Sequence, residues 1–212
     1  MRRPFAAAAV FAGLAAASAA GQTARFDAVA RIRDAAARYR AFGRVDDELR
    51  WAPWLCRMPL PSLARVSRAE AEHGRKVYFV YASDRDAYLR STSGARRALR
   101  PGFTVVKESF APRELGPEAR EHAGGARAVV PGAPDDFTFR ALPDADGRLV
   151  GPGEPAGLFI MQYVGARVRE SDGGWIYGTV SAAGEVTAAG RLESCMGCHR
   201  SAPHGRLFGL GG

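Results

Sequence analysis

The chain has 212 residues, a formal charge of +8 and a pI of about 10. Its basic residues are scattered arginines rather than a Lys/Arg run interleaved with aromatics, which argues against nucleic acid as the partner. The length and apolar content suffice for one domain with a real core. A basic surface suits docking to an acidic redox partner or attraction of an anion.

Residues 1–20 carry Arg2 and Arg3, an alanine-rich apolar stretch from Phe5 to Ala17, and the small residues Ser18, Ala19 and Ala20. That order reads as a secretory signal peptide. The apolar run is too short for a membrane span, which needs about eighteen or more such residues. The mature chain is therefore expected in the periplasm or secreted, without stable membrane insertion.

Residues 21–67 read as an N-terminal helix and a connector. Phe26, Val29, Ile32, Ala36, Tyr39 and Phe42 recur at three- and four-residue steps, which predicts an amphipathic helix over 26–48. Pro53, Pro59 and Pro61 make 51–67 irregular. The main domain is expected over 68–212. In it, Lys76–Ala82 alternates as a strand, Asp84 is placed to cap a helix through Tyr88 and Leu89, and Phe103–Phe110, Gly157–Gly165 and Trp175–Ser181 read as further strands. The last two are joined by a polar loop around Glu170, Ser171 and Asp172. Residues 111–156, rich in proline and glycine, read as a loop-rich insertion with at most one short strand near 137–142.

Thirteen residues from its last residue the chain carries Cys195-Met196-Gly197-Cys198-His199, the spacing that attaches a c-type haem. On a helical turn the three side chains stand at i, i+3 and i+4 and face one porphyrin, so two thioethers and an iron ligand come from one face. With three cysteines and four histidines in 212 residues, chance matches are on the order of 10⁻³ per chain. A redox Cys-x-x-Cys and half of a zinc site are the rival readings; a structural zinc needs about four ligands and the nearest other candidate is His204. A haem attached in this way is exported, which agrees with the leader.

The succession of His73-Gly74 before an aromatic strand, Pro101-Gly102 leading into Val105-Val106-Lys107-Glu108, Gly174-Trp175-Ile176-Tyr177 and the terminal pentapeptide resembles the cytochrome P-460 family, over residues 73–110 and 157–209. The resemblance implies an α+β fold, with an antiparallel sheet packed with a few helices around one covalently attached haem c, His199 as the iron ligand, and small nitrogen compounds as ligands or substrates. The segment 111–156 departs from the family pattern. Members with a lysine tied to the porphyrin edge are similar to enzymes that oxidise hydroxylamine. Those without it resemble cytochrome c′-beta, which binds nitric oxide at an open iron.

Strand alternation puts Lys107 and Ser109 on one face and Glu108 and Phe110 on the other. A haem over the second face would make Phe110 a distal wall and Glu108 a proton acceptor; over the first, Lys107 is the candidate for the link. An exposed Lys107-Glu108 pair on a sheet edge is the third possibility. Counted from Gly102, Lys107 falls several residues short of the linking position, so the expectation is an unlinked haem, Phe110 as the distal wall, and nitric oxide bound rather than turned over. A hydroxylamine or nitric oxide oxidoreductase, and an electron-transfer cytochrome with a sixth ligand, are the alternatives. Only Met58 and Met161 could supply a methionine, and Met161 reads as core packing. Cys56 is left over after haem attachment, either buried or free to pair two chains into a homodimer.

Overall fold

The computed structural model describes residues 26–46, 49–51, 76–94, 98–116 and 146–209, with short strand segments at 120–122, 127–129, 138–140 and 142–143. The leader, and with it Cys56, Met58 and His73, lie outside these residues. The architecture is α+β. Helices α1 (Ala28–Arg38), α2 (Arg85–Thr92) and α3 (Glu193–His199) accompany an antiparallel sheet built on β1 (Gly43–Arg44), β2 (Arg50–Trp51), β3 (Val77–Ala82), β4 (Thr104–Glu114), β8 (Leu142–Pro143), β9 (Leu149–Tyr163), β10 (Trp175–Val180) and β11 (Val186–Gly190). A second, three-stranded sheet joins β5 (Arg120–His122), β6 (Arg127–Val129) and β7 (Thr138–Arg140). Strand order in the main sheet is β1-β3-β4-β9-β10-β11, with β2 also on β3 and β8 also on β9.

Alternation in these strands produces two cores, one on each face of the sheet. Tyr78, Val80, Val105, Met161, Trp175 and Tyr177 point to the side that receives Met196 of α3. Val106, Ile160, Ile176 and Val180 point to the side covered by Ile32, Ala35 and Tyr39. Trp175 and Tyr177 lie opposite Ile176, and Met161 is core as expected. Gly178 lets α1 approach: a Cβ there would lie 2.5 Å from Ile32 Cγ2.

Helix α1 begins where Asp27 accepts the Ala30 amide at 2.9 Å, a cap that satisfies an otherwise orphaned donor. It ends earlier than the predicted 26–48. Tyr39–Ala41 tighten to a 3₁₀ turn, Phe42 is extended, and Gly43 and Arg44 pair with Ala82 and Tyr81. The Val45 amide donates to the Val80 carbonyl at 2.9 Å, so this stretch trades helical hydrogen bonds for sheet ones. The Asp84 cap on α2 is formed as read, accepting the Ala87 amide at 2.8 Å.

The described residues of 111–156 hold more strand than the composition suggests. Strands β4 and β9 run on as a long hairpin, pairing Pro112 with Pro152, Arg113 with Gly151 and Glu114 with Val150. Register shifts at Ser109/Phe110 and Phe110/Pro112 absorb the prolines, which cannot donate to a regular ladder. Strands β5–β8 replace the single short strand expected. Strand β11 was not anticipated, because Val186-Thr187-Ala188-Ala189-Gly190 has neither alternation nor a bulky face.

Candidate functional site around His199

Cys195, Cys198 and His199 lie on α3, as the spacing predicts. Met196, fully buried, anchors this helix to the sheet face carrying Tyr78, Val80 and Tyr177. The His199 ring lies 5.4 Å from that of Tyr177 and 5.2 Å from that of Phe208. Its Nδ1 is 2.7 Å from the Arg206 carbonyl oxygen. A carbonyl only accepts, so Nδ1 carries the proton and Nε2 keeps its lone pair. Burial lowers the His199 pKa, opposed by the bond to the Arg206 carbonyl. A neutral imidazole with a free Nε2 is the form that ligates iron.

The cysteines fit the cofactor unevenly. Cys195 is half-buried and takes no part in a disulfide. Cys198 is disulfide-bonded. A thioether and a disulfide compete for one sulfur, so a haem bound through both cysteines requires Cys198 to be reduced first. His199 and Cys195 would hold the group as they stand; Cys198 would do so once freed.

Lys107 lies on one face of the sheet, and Glu108 and Phe110 lie on the other. Lys107 shares the α3 side of the sheet: its Nζ lies 4.4 Å from the centroid of Tyr78 and 5.1 Å from that of Phe159, and its charge depresses the His199 pKa. Glu108 lies on the α1 side, where it accepts the hydroxyls of Tyr39 at 2.5 Å and Tyr81 at 2.9 Å and meets Arg40 Nη2 at 3.4 Å. Phe110 is on that side too, edge-on to Phe79 at 6.1 Å. Neither Glu108 nor Phe110 faces His199. Glu108 instead holds α1, where burial and then the bond to Glu108 push the Tyr39 pKa up to about 12, and Phe110 packs behind the sheet. Strand β4 lies between β3 and β9, so the pair is not on an exposed edge either.

Lys107 is chemically distinct. The chain carries two lysines, Lys76 and Lys107, and both reach the Phe159 ring, Lys76 at 5.4 Å. Burial, then repulsion from Lys76, brings the Lys107 pKa to about 7. An amine neutral near pH 7 is a nucleophile, which an arginine cannot be. Ser109, on the same face, is 1% exposed, and its Oγ has no hydrogen-bond partner among the described residues.

Two residues that sequence reasoning passed over complete the site. Asp172, 6% exposed, accepts Arg206 through both oxygens, at 3.1 Å from Nε and 3.0 Å from Nη2, and the Tyr177 hydroxyl at 3.2 Å. The Arg206 hydrogen bonds, more than burial opposes, hold its carboxyl below the usual range. Asp172 was noted only as loop polarity, and nothing local to Arg206 marks it. His204 forms a bridge with Leu207, beside this network. A separate recess of about 350 Å³ between α2 and residues 98–103, lined by Asp84, Arg90, Ser91, Arg100 and Phe103, includes none of these groups. No family model and no curated protein matches the chain.

Proposed function

We propose that this is an exported monohaem c-type protein of the P-460 kind, whose iron, held by His199, takes small nitrogen ligands at an open position. The observation that carries the reading is the 2.7 Å contact from His199 Nδ1 to the Arg206 carbonyl, which leaves Nε2 as the lone pair on the helix that bears Cys195 and Cys198. The haem supplies a redox-active iron whose open position accepts a small ligand. The chain's residues fix the ring, dry its surroundings with Tyr177 and Phe208, and present Lys107. Met161 is packed in the core between β4 and β10, which favours an open sixth position over an electron-transfer cytochrome. A periplasmic redox partner would take or give electrons.

The test is retention of haem by the mature chain in acidified organic solvent, lost in a C195A/C198A variant, with the optical spectrum of ferrous protein changing on addition of nitric oxide. Haem that extracts freely refutes the reading. A low-spin spectrum with a methionine-to-iron band would favour electron transfer instead.

Lys107 supports a second reading. Its place on the α3 side and its depressed pKa favour the lysine-linked oxidoreductase, acting on hydroxylamine or nitric oxide, over the unlinked gas binder. Proteolysis and mass spectrometry decide between them: a Lys107 peptide fused to the haem of Cys195 and Cys198, with hydroxylamine-dependent reduction of an acceptor dye, selects the oxidoreductase.

A further inference from the structure

Two tight turns meet beside His199. In the first, Asp172 and Trp175 exchange backbone hydrogen bonds across Gly173 and Gly174, whose φ values are +58° and +96°. In the second, His204 and Leu207 do the same across Gly205 and Arg206, at φ +62° and +78°. Two central residues at positive φ mark the type I′ turn, where the second position ordinarily belongs to glycine. Arg206 is the one non-glycine residue at positive φ among the described residues. Its side chain explains why: the guanidinium forks onto both Asp172 oxygens and lies over Gly173, where an added Cβ would come within 3.0 Å of Nη2. The same backbone conformation aims the Arg206 carbonyl at His199 Nδ1.

We propose that Asp172 is a positioning residue for His199: by clamping Arg206 in the left-handed turn it sets the carbonyl that fixes the imidazole tautomer and orientation, and so the basicity of the iron ligand. The inference rests on the haem reading of His199 given above. Tyr177 and Arg200, whose Nε is 3.6 Å from Asp172 Oδ1, steady the carboxylate. Partners of a ligating histidine's second nitrogen raise its donor strength, and losing them typically costs about 10–100-fold in metal affinity or activity.

The test compares D172N, R206A and R206G in the mature haem-loaded chain. Loss of the clamp weakens donation from Nδ1 and disfavours ferric iron, so D172N and R206A should both shift the ferric–ferrous equilibrium toward ferrous, on the order of tenfold or ~59 mV for one electron. Both should lower the ferrous iron–histidine stretching frequency. R206G, which adopts the turn without strain, should recover part of the shift. Simple electrostatics predicts the opposite pattern, because D172N removes a negative and R206A a positive charge. Opposite shifts, or none, overturn the proposal. If D172N does not fold, the R206A/R206G pair decides alone. If the wild-type chain carries no covalent haem, the proposed function fails, and nitrogen NMR of His199 tests the clamp by itself. A wild-type ring protonated at Nδ1 and a tautomer mixture in R206A support it; a wild-type ring protonated at Nε2 overturns it.

Discussion

The pKa of Lys107 has a measurable consequence for stability. Unfolded, its pKa is 10.5; folded, burial and Lys76 bring it to about 7. Between these values the unfolded chain binds a proton that the folded chain does not, so stability rises with pH across the window and is lost as pH falls toward 7. For these two pKa values the linkage relation gives a gain of about 3 kcal/mol between pH 7 and pH 9.5. Partial exposure of the side chain screens the effect, so about 1.5–3 kcal/mol is expected. The upper limit of pH 9.5 matters. The hydroxyls of Tyr39, Tyr81, Tyr88 and Tyr177 all have raised pKa values, and their contribution is lost once unfolded tyrosine ionises near pH 10. The assay is urea unfolding at pH 7 and 9.5 of the wild type and Lys107→Met, both produced without haem maturation so that the amine is unmodified. Wild type should gain over this range relative to the variant, and the variant should be the more stable at pH 7. Parallel pH profiles would refute the assignment of a buried, mostly neutral amine to this position.

Glu108→Ala should cost about 2–4 kcal/mol in urea unfolding, because it strips the Tyr39 and Tyr81 hydroxyls of their acceptor; no change would mean that the cluster does not hold α1. Phe110→Ala should leave the nitric oxide on-rate of the haem-loaded chain within about twofold while lowering stability by about 1–3 kcal/mol, since the ring packs on Phe79 away from His199; a faster on-rate would return Phe110 to the ligand's path. Gly178→Ala should destabilise by about 1–3 kcal/mol through its clash with Ile32, and less when Ile32→Ala is already present; additive losses would show that the two do not meet. Thiol titration of denatured, haem-free chain should find one reactive thiol before reduction and three after, since Cys198 is disulfide-bonded and Cys195 is not; three at the outset would remove the competition between disulfide and thioether.

What the sequence could and could not disclose follows from the range of the interactions involved. The Cys195-x-x-Cys198-His199 helix, the Asp84 cap and the alternation of β3, β4 and β10 are set within a few residues, and each was legible. The reach of β4 and β9 past Phe110 was not, because prolines argue locally against strands and only the bulged pairing with a distant partner accommodates them. Arg206 was hidden for the same reason: a local reading asks for glycine at its backbone conformation, and its guanidinium finds Asp172 thirty-four positions away. The choice with the largest consequence concerned the two faces of β4. Period-two reasoning separated Lys107 and Ser109 from Glu108 and Phe110, but it contains nothing about which set looks toward α3. That choice is made by α1. Its apolar stripe of Ile32 and Ala35 ends at Tyr39, whose hydroxyl needs a buried acceptor, and Glu108 is the side chain that supplies one. Once α1 claims the Glu108 face, the C-terminal helix must cover the other, and the lysine of β4 is left among the aromatic rings beside His199.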